Sequence, residues 1–186
     1  MSVVISGTGL FTPSEYITNE ELVKSFNEYA LKFNEDNKEL IAKGDLEALV
    51  PSSSEFIKKA SGIEQRFVQD KQGILDINRM RPKLNARPNS QISILAEMAI
   101  KASKEAMKQA EVDASDLDAV ICGCSNLQRA YPAVAIEIQE ELGVNGYAYD
   151  MNVACSSATF SIQNAFNDIQ SGIADKILVV NPEICS

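Results

Sequence analysis

One cysteine stands in a local sequence that suits a nucleophile. Cys155 follows an apolar run at residues 147–151 that predicts a strand, and precedes a helical pattern from about Ser156 to Ser171. At a helix start, unpaired backbone N–H groups and the positive end of the helix favour the thiolate over the thiol. The same N–H groups can stabilise a developing oxyanion, as in a strand–turn–helix nucleophile elbow. The spacing alone also fits a small buried side chain at a packed helix start, so both interpretations stand.

The other three cysteines do not form a recognisable site. Cys122 and Cys124 lie two residues apart on one predicted strand and point to the same face, which favours two small core residues over a redox pair. Cys185 lies close to the end of the sequence. Because none of the four is spaced as C-x-x-C, the sequence indicates neither a disulfide framework nor a zinc knuckle. We therefore expect reduced thiols and no metal site.

Common ingredients of catalytic and cofactor sites are missing from the sequence. There is no histidine, so the chain cannot supply the commonest general base or assemble a Ser-His-Asp or Cys-His pair by itself. Chemistry at Cys155 is therefore either unusual or shared with another polypeptide segment. The turn at residues 6–9 lacks the third glycine of the dinucleotide fingerprint and the lysine of a P-loop, so we expect no nucleotide cofactor there.

Composition and charge exclude several classes of protein. The chain has 186 residues, of which 45% are hydrophobic and 23% charged, so it can bury a core and is not disordered. Its formal charge of −9 is the wrong sign for coating nucleic acid or an anionic membrane. No apolar run approaches the roughly 20 residues of a membrane span, and residues 1–5 lack the basic start of a secretory signal. We expect a cytoplasmic protein.

Helical and strand patterns alternate along the chain. Residues 2–9 read as a buried strand, and Thr18 as the N-cap of a helix that continues to about Phe33. Residues 34–49 predict a solvated helical excursion that ends near Gly44. The later predicted elements are a helix after Ser90, a strand at 117–124, a helix at 133–142, a strand at 147–151, a helix at 156–171 and a strand at 176–180. This alternation predicts an α/β fold with a mostly parallel central sheet.

A long loop is predicted between the two halves of this pattern. From about residue 70 to residue 90, Gly73, Pro82 and Pro88 interrupt any regular structure. The same stretch holds the densest basic residues of the chain, which are Arg79, Arg81, Lys83 and Arg87. The loop is either a solvated connection or a lid or docking surface, since long loops in compact domains are often functional.

Several motifs, in order, resemble the β-ketoacyl-acyl-carrier-protein synthase III family, which are condensing enzymes of the thiolase superfamily. The family's nucleophile region, its opening strand and turn, its Thr-Gly-Ile-x-x-Arg signature and its Phe-Pro helix all have counterparts. The matching stretches are Gly7-Thr8-Gly9, Thr18-Asn19-Glu20-Glu21-Leu22, Ser61-Gly62-Ile63-Glu64-Gln65-Arg66, Tyr131-Pro132 through Leu142-Gly143, and Ala154-Cys155-Ser156-Ser157.

The resemblance implies the N-terminal half of the duplicated five-layer α/β/α/β/α thiolase architecture. It covers nearly the whole chain, so we expect residues 1–186 to form one thiolase-like half-domain and the C-terminal half to be absent from the chain. In the family, that second half supplies the His and Asn of a Cys-His-Asn triad. This accounts for the missing histidine, and it implies that the chain alone is inactive.

The resemblance also implies an acyltransferase reaction of fatty acid biosynthesis. Cys155 would take an acyl group from acyl-CoA, with its own backbone N–H as an oxyanion donor. Decarboxylation of malonyl-acyl-carrier protein would then give a carbanion that attacks the acyl-enzyme and forms β-ketoacyl-acyl-carrier protein. The implied partners are acyl-CoA, acyl-carrier protein, the C-terminal half and a second copy in a homodimer. No cofactor or metal is implied.

Substrate contacts of the family fall on residues that partly depart from its pattern. The aromatic that stacks on the CoA adenine corresponds to Phe56, and a nearby hydroxyl to Ser52. The arginine that flanks the adenine is replaced by Ala60, with Lys59 adjacent. Tyr131 stands where the family has a Phe that reaches across the dimer interface to the partner's acyl pocket.

Other departures suggest a divergent subgroup. Ser156-Ser157 follow the cysteine where the family often has a small residue and then Gly, and the segments at 34–49 and 70–90 exceed the compact bacterial type. From the loop sizes we expect a medium-chain acyl-CoA primer in place of acetyl-CoA. Two alternatives stay open: a thiolase-superfamily enzyme that condenses or transfers acyl groups without acyl-carrier protein, and a catalytically silent assembly subunit in which Cys155 is only structural.

Overall fold

The computed structural model describes residues 2–185, which form two compact units. The core unit comprises residues 2–12 and 87–185, and the accessory unit comprises residues 13–86. The accessory unit contains β1 (Glu15–Thr18), α1 (Asn19–Asp36), α2 (Lys38–Lys43), α3 (Ser54–Ser61), β2 (Gln65–Val68) and α4 (Lys71–Leu75). The core unit contains α5 (Ile94–Ala110), a 3₁₀ turn (Ala114–Asp116), β3 (Ala119–Gly123), α6 (Val134–Leu142), β4 (Tyr147–Met151), α7 (Ser157–Gln170) and β5 (Ile177–Val180).

The core unit is built on a parallel three-stranded sheet in the order β4-β3-β5. Ala119 of β3 pairs with Tyr147 of β4 on one side and with Ile177 of β5 on the other. All five residues of β3 are buried, as expected for a central parallel strand covered on both faces. The predicted mixed α/β class with a parallel sheet is therefore confirmed.

Helices cover the two faces of this sheet. Val120 and Cys122 of β3 join an apolar cluster with residues of α5 and α6, including Leu95 and Ile138. The alternate residues of β3 face the other way, and a side chain added at Gly123 would meet α7. The core therefore lies mainly between the sheet and the α5–α6 pair, while α7 packs on the opposite face.

The predicted start of the first helix is correct. The Thr18 hydroxyl accepts a hydrogen bond from the Glu21 N–H at 3.3 Å, and the Glu21 carboxylate accepts from the Thr18 N–H at 3.0 Å. This reciprocal capping box satisfies two backbone donors at the N-terminus of α1. The predicted end of the following excursion also holds, because α2 closes at Gly44 with a left-handed φ of 77°.

The prediction of a buried strand at residues 2–9 is wrong. This segment has no strand partner within the described residues, and Val4 and Ile5 are each 74% exposed. It follows α5 instead: the Thr8 N–H donates to the Gln109 side chain at 2.5 Å and the Leu10 N–H donates to the Glu105 carboxylate at 2.9 Å. A β-branched run indicates a strand, but it does not supply the neighbouring strand with which to pair.

The accessory unit contains elements that the sequence patterns did not reveal. β1 and β2 form an antiparallel pair in which Glu15 lies opposite Val68. The loop predicted at 70–90 begins with the short helix α4 and then has no regular structure up to residue 90. Its fold is held by Asp70, whose carboxylate accepts hydrogen bonds from the N–H groups of Gly73 at 3.1 Å and Lys83 at 2.5 Å.

Among residues 2–185, no helix is both long enough and apolar enough to cross a membrane.

That residues 1–186 form one thiolase-like half-domain stays a prediction.

Candidate active site

Cys155 lies on a turn that connects the carboxyl end of β4 to α7. We call residues 152–156 the Cys155 turn, since β4 ends at Met151 and α7 begins at Ser157. Cys155 is exposed, so in this structure it is not a small buried side chain at a packed helix start. In parallel α/β sheets, ligands bind beyond the carboxyl ends of the strands, which is where this turn stands.

Hydrogen bonds from Asn152 and Ser157 close the backbone of the Cys155 turn. The Val153 N–H donates to Ser157 Oγ at 2.9 Å, and the Ala154 N–H donates to Asn152 Oδ1 at 3.1 Å. The Ser157 N–H and hydroxyl both donate to the Ala154 carbonyl, at 3.1 and 2.8 Å. None of these four bonds involves Cys155, so they shape the turn without occupying its thiol.

Ala154 has an unusual backbone conformation immediately before the cysteine. Its φ is 48°, in the left-handed region that an L-residue with a Cβ seldom adopts. This conformation turns the chain sharply between β4 and α7. The small residues of the segment predicted a tight turn, but no glycine marked the left-handed position.

Asp150, at the end of β4, holds the start of a neighbouring helix. Its carboxylate accepts from the Val134 N–H at 2.9 Å and from the Ala135 N–H at 2.7 Å. The N-cap position of α6 is Ala133, which has no side-chain acceptor. Asp150 therefore supplies from another element the cap that the local sequence of α6 lacks. In the sequence, the absence of a capping side chain at Ala133 indicates that another part of the chain caps α6.

Tyr131 projects from the segment that joins β3 to α6. Tyr131 is 88% exposed, whereas Arg129, in the same segment, is held by contacts with other parts of the core unit. Arg129 donates to the Gln91 carbonyl at 2.8 Å and lies 3.3 Å from the carboxylate of Glu137. Glu137 is 6% exposed and accepts from the N–H and hydroxyl of Ser93, at 3.0 and 2.6 Å. The aromatic ring is thus carried on a segment tied to α5 and α6, through contacts that the sequence did not predict.

The other predicted substrate residues lie just before α3 or on this helix. Ser52 is fixed by reciprocal hydrogen bonds with the Asn27 amide, at 2.8 and 3.0 Å, two residues before the helix. Phe56 is 66% exposed, and Lys59 is exposed one helical turn later, so both can share one face. Ser52, Phe56 and Lys59 belong to the accessory unit, while Cys155 and Tyr131 belong to the core unit.

Part of the basic stretch is already engaged within the chain. Arg87 donates to the Glu97 carboxylate at 2.7 Å and to the Ile92 carbonyl at 2.9 Å, and Arg79 donates to the carbonyls of Arg81 and Pro82. Ion pairs with Lys101 and Arg87 lower the pKa of Glu97. These contacts account for two of the four basic residues and favour a structural role for them.

Cys122 and Cys124 are core residues, as predicted. They are 0% and 1% exposed, and their sulfur atoms lie 3.6 Å apart. The hydrogen bond with Cys124, together with burial, raises the pKa of the Cys122 thiol. The Cys122 thiol therefore stays uncharged at neutral pH. Among residues 2–185, no group of three or more Cys, Asp or Glu side chains is arranged to hold a metal ion.

Comparisons with known proteins agree with this architecture. The parallel α/β layer with a cysteine on the turn after β4 is the N-terminal half of the thiolase fold. The model of the family "Thiolase, N-terminal domain" matches residues 85–186, and the chain belongs to this family. The crystal structure of 3-oxoacyl-[acyl-carrier-protein] synthase III from Aquifex aeolicus superposes with a TM-score of 0.68 at 25% identity, covering 96% of this chain and 44% of that one.

Curated relatives carry the names of carrier-protein condensing enzymes. The β-ketodecanoyl-[acyl-carrier-protein] synthase of Pseudomonas aeruginosa is 58% identical over 164 residues, which are 88% of this chain and 47% of that protein. The β-ketoacyl-[acyl-carrier-protein] synthase III of Dinoroseobacter shibae is 33% identical over 184 residues, or 98% of this chain and 43% of that protein. The resemblance to synthase III is confirmed, and the chain spans about half the length of these relatives.

Proposed function

We propose that this chain forms the N-terminal half of a β-ketoacyl-acyl-carrier-protein synthase of the synthase III type. The observation that carries the proposal is an exposed cysteine on the turn between β4 and α7, in a chain 58% identical to a β-ketodecanoyl-acyl-carrier-protein synthase. Its substrates are an acyl-CoA and malonyl-acyl-carrier protein. The His and Asn that complete the site come from the C-terminal half, and the complete enzyme is a homodimer.

In the first stage, Cys155 becomes acylated. Its sulfur attacks the thioester carbon of acyl-CoA, the carbonyl electrons move onto oxygen, and the CoA thiolate leaves when they return. The thiolate carries the negative charge away and takes up a proton. Negative charge on the thioester oxygen is stabilised by the backbone N–H of Cys155. Loss of one such donor typically costs about 3 kcal/mol of transition-state stabilisation.

In the second stage, the acyl group is extended. Malonyl-acyl-carrier protein loses carbon dioxide, and the electron pair of the broken bond remains as an enolate carbanion. This carbon attacks the acyl-Cys155 thioester, and the cysteine sulfur leaves as the thiolate. The product is β-ketoacyl-acyl-carrier protein. Every atom comes from the two substrates, so these steps need no cofactor or metal.

Four residues are proposed to contact the substrates, and each is considered separately. Phe56 stacks on the adenine of CoA, and its exposure leaves the ring face open to do so. Ser52 donates a hydroxyl near the nucleotide, and Lys59 supplies positive charge where Ala60 cannot. Tyr131, exposed and anchored at its base, reaches into the acyl pocket of the second copy.

The primer is a medium-chain acyl-CoA. The name of the Pseudomonas relative specifies a β-ketodecanoyl product, and a decarboxylative condensation makes that product from an octanoyl primer. The identity of 58% with that protein exceeds the 33% with a relative named only for β-ketoacyl products, which supports octanoyl over acetyl.

A condensation assay tests this function. A purified protein containing both halves is incubated with malonyl-acyl-carrier protein and either octanoyl-CoA or acetyl-CoA, and the carrier-protein products are identified by mass spectrometry. We expect β-ketodecanoyl-acyl-carrier protein as the main product. Equal use of acetyl-CoA would contradict the medium-chain primer. Condensation or transfer that proceeds with malonyl-CoA and ignores the carrier protein would contradict the synthase III assignment.

A further inference from the structure

The hydroxyl of Ser157 joins the first residue of α7 to the segment just before Cys155. Ser157 is 4% exposed, and its Oγ accepts from the Val153 N–H at 2.9 Å while donating to the Ala154 carbonyl at 2.8 Å. One hydroxyl thus holds both ends of the Val153–Ala154 dipeptide. The hydroxyl supplies an acceptor for the Val153 N–H, and it adds a second donor to the Ala154 carbonyl beside the Ser157 N–H.

The position of the cysteine depends on the backbone that this hydroxyl holds. Ala154 has a φ of 48°, which is disfavoured for alanine because its Cβ approaches the following carbonyl oxygen. Without a restraint, Ala154 relaxes toward negative φ. Because Cys155 is the next residue, that rotation changes the direction in which its thiol points relative to the start of α7.

We propose that Ser157 is a positioning residue that fixes Ala154 in the left-handed conformation and thereby keeps the Cys155 thiol at the N-terminal end of α7. The inference rests on the proposed function, in which Cys155 is the nucleophile. Ser157 acts through the backbone of the Cys155 turn and touches no reacting atom.

The same helix offers a matched control. Ser161 lies one turn after Ser157 and is 0% exposed, and within residues 2–185 its hydroxyl has no hydrogen-bond partner. A Ser161→Ala change therefore removes the same chemical group from an equally buried place on α7. It leaves the hydrogen bonds of the Cys155 turn intact, so it separates positioning from a general effect on helix packing.

The test measures the alkylation rate of Cys155 by iodoacetamide at neutral pH in the full 186-residue chain. Tryptic cleavage after Lys108, Arg129 and Lys176 puts Cys155 and Cys185 on separate peptides, so Cys185, also exposed, is an internal reference in every sample. Rates are compared for the wild type and for Ser157→Ala, Ser157→Thr and Ser161→Ala. Far-ultraviolet circular dichroism selects the preparations with wild-type helix content.

We expect Ser157→Ala to lower the Cys155-to-Cys185 rate ratio about threefold, because the sulfur of Cys155 loses its placement at the helix end. Ser157→Thr, which keeps the hydroxyl, restores the ratio, and Ser161→Ala leaves it unchanged. An unchanged ratio in Ser157→Ala, an equal fall in Ser161→Ala, or no recovery in Ser157→Thr would overturn the proposal. Iodoacetamide requires no acyl-CoA recognition, so this result is independent of whether the enzyme accepts octanoyl-CoA.

Discussion

At the residue scale, the Cys155 turn balances a local strain against local hydrogen bonds. The left-handed conformation of Ala154 costs about 1–2 kcal/mol. The hydrogen bonds that Asn152 and Ser157 make with the Val153 and Ala154 backbone offset this strain, since each contributes about 1 kcal/mol net. Donors that are already fixed in place need no reorganisation during a reaction. They therefore stabilise a developing oxyanion more strongly than mobile donors do.

The side chain of Asp118, which precedes β3, holds the start of β5 at the end of the sheet opposite the Cys155 turn. Its carboxylate accepts from the N–H groups of Lys176 at 3.0 Å and Asp175 at 2.7 Å, just before β5. These two hydrogen bonds, that of Lys176 first, lower the pKa of Asp118 below its unfolded value. The stabilisation is therefore present above the unfolded pKa and is lost as the pH falls through the folded pKa.

The predicted consequence is a difference in acid stability. We expect the free energy of unfolding to fall more steeply in the wild type than in Asp118→Asn between about pH 5 and pH 2, because only the wild-type carboxylate is protonated there. Urea titrations at several pH values measure this. Asp175→Asn, which removes a neighbouring exposed carboxylate, is measured in parallel as the control for the change of net charge. Parallel curves for the wild type and Asp118→Asn would contradict the expectation.

The sequence predicted the place of Cys155 but not the groups that hold it. A strand, a run of small residues and a helical pattern were enough to position the cysteine at a strand–helix junction. The Ser157 hydroxyl bridge was not predictable because the residues of the turn fit many tight turns. The cap from Asp150 to Val134 joins residues 16 positions apart, so it depends on the packing of β4 beside α6.

At the element scale, the N-terminus of α1 illustrates how one residue fixes a boundary. Thr18 ends β1 and caps α1, and its backbone and side chain both exchange hydrogen bonds with Glu21. A capping residue supplies acceptors that the first turn of a helix otherwise lacks. Loss of this cap should therefore fray α1 from its start.

We expect Thr18→Ala to lower the free energy of unfolding by about 1 kcal/mol. Urea unfolding followed by circular dichroism measures the change. Thr159→Ala, at an exposed position inside α7, is the matched control and should be neutral or slightly stabilising, since alanine has the higher helix propensity. Equal destabilisation by the two changes would rule out a capping effect.

The later strands and helices of the core unit were predicted from the sequence more accurately than the short strands of the accessory unit. β4 was predicted at its observed bounds, and α6 and α7 within about one residue, because apolar side chains recur with the correct period. The β1–β2 pair escaped notice because each strand has only four residues and a mostly exposed surface. The strand predicted at residues 2–9 is wrong for a different reason. The apolar pattern there is strong, but the backbone forms hydrogen bonds with side chains of α5.

At the scale of the whole molecule, the distribution of apolar surface fits the role of half an enzyme. On and just after α7, large apolar side chains remain between 43% and 65% exposed: Phe160, Ile162, Phe166 and Ile173. In the proposed function, these side chains contact the C-terminal half. The same proposal assigns to that half the histidine that the sequence lacks.

Transfer of an acyl group to Cys155 is the most direct test of this account. A protein containing both halves is mixed with octanoyl-CoA and its intact mass is measured, beside Cys155→Ala and a Cys185→Ala control. We predict the addition of one octanoyl group to the wild type and to Cys185→Ala, and no addition to Cys155→Ala. Absence of any adduct in folded wild-type protein, or an adduct that persists in Cys155→Ala, would contradict the assignment of Cys155 as the nucleophile.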